Sequence, residues 1–185
     1  VREDAVMNPT SSTRPAPVGS HVDLTPLRSP RGLRLAGVSF ACVFATSSIG
    51  RIVTAEPVAG WYRTLVKPSF NPPNWAFPVA WSTLFLLMAV AFFRVLRTPA
   101  STPRRGLAIA LFVAQLVVNV GWSVAFFGAN SPLAGMIVIV PFWGLILATA
   151  IVFGRIDRIA GWLLSPYLAW VTFATVLNAA ILRLN

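Results

Sequence analysis

Five long apolar runs, separated by short polar connections, dominate the chain from Leu33 onward. They fall at about 33–50, 78–96, 106–127, 132–153 and 159–182. A helix needs about 20 mainly apolar residues, at about 1.5 Å each, to cross a bilayer core about 30 Å thick. Each run approaches that length, and none carries the charged face that a helix in water requires. Lipid offers no hydrogen bonds, so each segment must satisfy its own backbone internally. The pattern predicts an all-α membrane protein, a five-transmembrane-helix bundle. Residues 51–74 form the one substantial connection, expected to lie as a lid over one end of the bundle.

Residues 1–32 read differently. Pro9, Pro15, Pro17, Pro26 and Pro30 stand among Ser, Thr and Arg without apolar periodicity, which predicts a disordered tail ahead of a membrane domain at 33–185. The arginines and serines resemble a transit peptide, against which Glu3, Asp4 and Asp23 count, and Met7 offers an alternative start. The choice between a bacterial cell membrane and an organelle membrane stays open.

Composition sharpens the class. Hydrophobic residues make up 56% of the 185 and charged residues only 11%, which excludes a water-soluble fold. Net charge is +10, from 15 basic and 5 acidic residues. Eleven of the basic residues (Arg2, Arg14, Arg28, Arg31, Arg34, Arg94, Arg97, Arg104, Arg105, Arg155 and Arg158) fall on one side of a five-span topology. By the positive-inside rule, that side and the N-terminus face the cytoplasm in a bacterial inner membrane. The excess is an orientation signal with attraction to anionic lipid, and no nucleic-acid partner is expected. Cys42 is the lone cysteine, expected as a small buried hydrophobe, and His21 is the lone histidine. No metal site, conventional catalytic centre or obligatory cofactor is expected.

Polar residues inside spans are costly and mark candidate sites. Gln115 and Asn119 lie one turn apart on the third span, and Trp122 and Phe126 extend their stripe. Trp170, Ala174 and Asn178 form a stripe on the fifth, after Tyr167, and Trp81, Phe85 and Met88 one on the second. Topology brings Trp81, Asn119, Trp122 and the 170–178 stripe toward the face that carries the first loop. That loop is aromatic and proline-stiffened, with Trp61, Tyr62, Phe70, Trp75 and Phe77 around Pro68, Pro72, Pro73 and Pro78. Convergence predicts an apolar cavity with a few polar groups, suited to a flat hydrophobic ligand. Plainer alternatives stand beside it: Trp61, Trp75 and Trp162 as interface anchors, and Gln115 and Asn119 as interhelical hydrogen-bonders. Pro141 and Trp143 in the fourth span read as a kink and a lipid-facing ring. Small residues every fourth position, at Gly37, Ala41 and Ala45 and at Gly106, Ala110 and Ala114, suit packing within the chain or a homodimer through the third span.

The run from Trp61 to Trp75 (WYRTLVKPSFNPPNW), followed by Phe77, Pro78 and Trp81, closely resembles the WYxxLxKPxWxPPxW…W signature of the TspO/MBR family, the translocator or tryptophan-rich sensory proteins. The stretch Gln115–Ser123 with Phe126 and Phe127, and the stretch Pro166–Asn178, match further motifs of that family in order and spacing. The resemblance implies a five-helix bundle, often dimeric, that binds porphyrin or haem-type tetrapyrroles and related hydrophobic molecules. It implies a lid carrying Tyr62 and a cavity lined by Trp81, Asn119, Trp122, Trp170 and Ala174, with Trp75 and Phe126 beside them. Trp81 and Trp170 resemble the tryptophans implicated in light-dependent porphyrin breakdown. Phe70 and Phe85 depart from the usual Trp and Tyr, and Ala179 replaces the tyrosine of the animal cholesterol-recognition pattern, which argues against steroid transport.

The leading expectation is a membrane receptor or carrier for tetrapyrroles, with membrane lipid and a second copy as further partners. The alternatives are a tryptophan-mediated photochemical degrader, a stress-regulatory scaffold and a transporter. Coupled transport draws no support from the sequence, which shows no buried ion pair, broken helix or inverted repeat.

Overall fold

The computed structural model describes Pro26 and residues 28–185, which are helical with no strand. Of the tail read over residues 1–32, residues 1–25 and 27 lie outside these. Seven helices follow: α1 (Pro30–Ala59), α2 (Trp61–Thr64), α3 (Ala76–Leu96), α4 (Arg105–Ser123), α5 (Pro132–Ile156), α6 (Arg158–Leu163) and α7 (Ser165–Leu184). A π-helical turn, Val124–Gly128, extends α4. Five stretches are long and apolar enough to span a membrane: α1, α3, α4 with its π turn, α5, and α6 with α7.

Local chemistry sets the boundaries. Ser29 caps α1, its Oγ accepting from Gly32 N at 3.0 Å, and Pro30 begins the helix where its missing N–H costs nothing. Ser131 and Pro132 repeat the arrangement at α5. Asp157 Oδ1 accepts from Ile159 N and Ala160 N at 2.9 and 3.1 Å, starting α6.

Two boundaries differ from the sequence reading. The first span does not stop at Gly50. Helix α1 continues through Arg51, Glu56 and Pro57 to Ala59, so the connection shrinks to residues 60–75 and includes α2. A charged residue at a membrane edge extends its head toward water without breaking the helix. Pro57 lies so near the end that little ladder remains to disrupt, and Gly60 N donates to Glu56 O at 3.0 Å at the terminus. The fifth span, expected as one run, breaks at Leu164, because Pro166 lacks the N–H that would continue the ladder.

Around the bundle, α1 packs between α3 and α4, α4 against α5, α5 against α7, and α6 closes the circuit onto α3. The end carrying the 97–104 and 157 connections is solid. Phe92 stacks on Phe112 at 4.2 Å and Phe112 on Phe153 at 5.6 Å, with Met88, Val95 and Leu164 buried among them. Arg94 pairs with Asp157 at 2.8 Å, and Arg105 donates to Leu96 O at 2.9 Å, so two arginines tie helix ends together there. Helices α5 and α6 touch backbone to backbone: a Cβ on Gly161 would sit 2.6 Å from Gly154 Cα. The opposite end, under residues 60–75, is hollow.

Candidate functional site

The hollow end encloses a cavity of about 560 Å³, within the range of about 300–1,000 Å³ usual for small-molecule sites. Four spans and the 60–75 segment wall it. Helix α3 supplies Phe77, Trp81 and Phe85; α4 and its π turn supply Asn119, Trp122, Phe126 and Phe127; α7 supplies Trp170, Phe173, Ala174 and Asn178. Tyr62 and Asn74 line it from the lid side. Helix α1 contributes a complete face, Ser47, Arg51, Thr54 and Val58, at helical spacing.

Aromatic contacts fix the walls. Trp81 lies 5.4 Å from Phe85 and edge-on to Tyr167 at 6.3 Å. Trp122 stacks on Phe126 at 5.5 Å, and Trp170 meets Phe77 at 6.0 Å and Phe173 at 5.6 Å. Such offset and edge-on pairs suit ring quadrupoles and hold the side chains in place. The π turn matters here. Its wider pitch, closed by Ala129 N donating to Val124 O at 2.8 Å, brings consecutive residues Phe126 and Phe127 to the same cavity.

Buried polar groups brace the site. Asn119 Nδ2 donates to the Tyr167 hydroxyl at 3.0 Å, joining α4 to α7. The Asn178 amide bridges the α5 backbone, its nitrogen toward Pro132 O at 2.9 Å and its oxygen toward Met136 N at 3.1 Å. Gly135 permits this approach: a Cβ there would lie 2.6 Å from Phe126 Cδ2 and 2.8 Å from the Asn178 amide. Gln115 is as buried as Asn119, but neither end of its amide meets a partner, so the expected interhelical bond is made by Asn119 alone. The buried Trp122 indole N–H also finds no acceptor among the described residues.

Tyr62, Val66 and Phe70 hold the lid to the bundle, and further contacts brace it internally. Tyr62, buried against Phe126 and Phe127, donates its hydroxyl hydrogen to Asn71 Oδ1 at 3.0 Å. Burial pushes the Tyr62 phenol above its ordinary value of 10.0, so it stays a protonated donor at neutral pH. Lys67 Nζ sits 4.8 Å from the Tyr62 ring centroid. Asn185 clasps the Val66 backbone in both directions, accepting from Val66 N at 3.0 Å and donating to Val66 O at 3.1 Å. Phe70 meets Phe173 edge-on at 6.4 Å.

Of the residues singled out in the sequence, Tyr62, Trp81, Asn119, Trp122, Phe126, Trp170 and Ala174 line this cavity. Trp75 does not; it is 68% exposed at the start of α3, and Trp162 is 69% exposed at the other end of the bundle. Trp61 packs edge-on to Phe126 at 5.6 Å. Trp143, expected to be only a lipid-facing ring, donates to Thr172 Oγ1 at 2.7 Å and ties α5 to α7. The sequence reading ends the first span at Gly50 and places Arg51 and Thr54 in a loop, so it leaves out the α1 face. A 47, 51, 54, 58 periodicity was the signal available. No group of three or more His, Cys, Asp or Glu among the described residues could hold a metal.

Comparisons with known proteins agree with this architecture. The sequence profile described as the TspO/MBR family matches residues 38–184. The chain is 45% identical over 149 residues to the tryptophan-rich protein TspO of Chlorobaculum tepidum, covering 80% of this chain and 92% of that one. It is 40% identical over 148 residues to protein CrtK of Rhodobacter capsulatus, covering 80% and 89%. Against the translocator protein of Sus scrofa it is 31% identical over 156 residues, covering 82% and 90%. The chain is an integral multi-pass membrane protein belonging to the TspO/MBR family.

Proposed function

We propose that the protein is a membrane receptor or carrier that binds a tetrapyrrole of the porphyrin or haem type in the cavity beneath the lid. One observation carries this reading: three indoles, Trp81, Trp122 and Trp170, line a single apolar cavity of about 560 Å³ from three different helices. Flat aromatic faces on several sides suit a flat macrocycle, which stacks on rings and has little use for a round aliphatic pocket. The unpartnered Trp122 N–H offers a hydrogen bond to a polar edge of the ligand. Ala174 leaves a gap in the aromatic wall where a larger side chain would intrude. No cofactor is needed for this role; the tetrapyrrole is ligand, and surrounding lipid and a second copy of the chain are its expected partners.

Titration of the purified protein with protoporphyrin IX in darkness, followed by tryptophan fluorescence, tests the reading. Trp81→Phe and Trp170→Phe are each expected to weaken binding several-fold, and Ala174→Leu by about tenfold or more, equivalent to about 1.4 kcal/mol. Unchanged affinity in all three rejects the cavity as the site. A second reading, light-dependent breakdown of the bound porphyrin, draws on Trp81 and Trp170 lining the same space. Illuminating the complex decides it: bleaching no faster than that of free porphyrin excludes such chemistry.

A further inference from the structure

Among the described residues that line the cavity, Arg51 is the only one with a formal charge. Among the described residues no acidic side chain pairs with it. The described acids are Glu56 and Asp157. Asp157 is paired with Arg94 at the opposite end of the bundle. Glu56 lies five residues further along α1, about 140° around the helix axis from Arg51 and off the cavity face. The nearby Lys67 is engaged with Leu65 O at 3.1 Å and the Tyr62 ring.

Depth adds a second constraint. Arg51 follows Leu33 by 18 residues on a continuous helix, a rise of about 27 Å. That is close to the hydrocarbon thickness of about 30 Å. Arg51 therefore stands at the lid-side edge of the apolar layer, exposed, while Trp81 and Trp170 form the apolar wall of the same cavity. The cavity is thus amphiphilic in one direction: aromatic within, cationic at its water-facing rim.

We infer that Arg51 is the anion anchor of the site, donating hydrogen bonds to a ligand carboxylate at the cavity rim while the ligand's apolar body lies among the tryptophans. Guanidinium and carboxylate form charge-assisted, two-pronged hydrogen bonds that a neutral polar side chain cannot match. The anchor selects for tetrapyrroles with free acid side chains over esterified or neutral ones, and over sterols. The inference rests on the tetrapyrrole reading above and adds to it the ligand group that sets selectivity.

The test compares protoporphyrin IX with its dimethyl ester, in a phosphate-free detergent, on the wild-type chain and on Arg51→Gln and Arg51→Lys. Arg51→Gln is expected to weaken the free acid about tenfold and the ester less than twofold. Arg51→Lys, which keeps the charge but not the fork, is expected to restore part of the acid's affinity. Equal loss for acid and ester, or no loss for either, overturns the assignment; the second result leaves Arg51 as an anchor to lipid headgroups. Where the anchor is overturned in this way, ester binding to the wild-type chain that weakens in Trp81→Phe leaves the tetrapyrrole cavity standing without it. If neither porphyrin binds the wild-type chain, both readings fall.

Discussion

Gly135 shows how much of the site hangs on one missing methyl group. The Phe126 ring and the Asn178 amide both occupy the space a Cβ would take, at 2.6 and 2.8 Å. These are a cavity wall and the bridge that holds α7 to α5. Neither is the loose end of a flexible surface chain, so relief of the clash must move the wall. Gly135→Ala is expected to lower stability by about 1–3 kcal/mol, in the manner of overpacked cores, and to weaken porphyrin binding as Phe126 shifts. Thermal melting in detergent measures the first effect; an unshifted midpoint contradicts the packing described. Asn119 has a related role, since its amide is spent on the Tyr167 hydroxyl. It positions α4 against α7 before it can meet any ligand.

Among the elements, the lid depends on contacts remote in sequence. Val66 and Asn185 are separated by 119 positions yet share two hydrogen bonds, and Asn185 also holds Ile181 O at 2.9 Å. Asn185→Ala removes the clasp, and with it the partners of both Val66 backbone groups. Hydrogen exchange at Val66 is expected to accelerate about tenfold while exchange in α3 stays unchanged. Equal exchange at Val66 in both proteins would show that the clasp does not hold the lid. The Tyr62 latch gives a pH dependence of definite sign. Its phenol is raised above 10.0 by burial, so the closed lid binds the proton more tightly than the open one. Latching is complete below the ordinary tyrosine range and is lost as pH rises through the raised value. The difference in tyrosinate absorbance between wild type and Tyr62→Phe should show a transition above 10.0. A transition at or below that value would mean that Tyr62 is not buried in solution.

Across the whole molecule, support and binding are segregated by depth. One end is filled by the stacked Phe92, Phe112 and Phe153 and closed by the Arg94–Asp157 pair, while the other end is open around the cavity. Phe112→Ala, at a fully buried position, is expected to cost about 3–5 kcal/mol of stability. Porphyrin affinity of the folded fraction should change less than twofold, the reverse of what Trp81→Phe should do. Melting and fluorescence titration on both variants check the separation, and a large affinity loss in Phe112→Ala would show the two ends to be coupled.

The five spans are legible in the sequence, because hydrocarbon demands about 20 apolar residues and an internally bonded backbone wherever the chain crosses. The sequence also dictates that the aromatic stripes of α3, α4 and α7 face one end, since helical period and an alternating topology leave little freedom. Tertiary structure alone decided what completes the site. Arg51 and Thr54 belong to it only because α1 continues past Gly50, which no local rule for a charged residue at a membrane edge dictates. Phe127 joins Phe126 through a π turn, and Gly135 matters through what presses on it. Asn185 reaches Val66 only after the whole bundle has closed. Burial of apolar length is written locally along the chain, but a cavity exists only where several helices fail to fill the space between them.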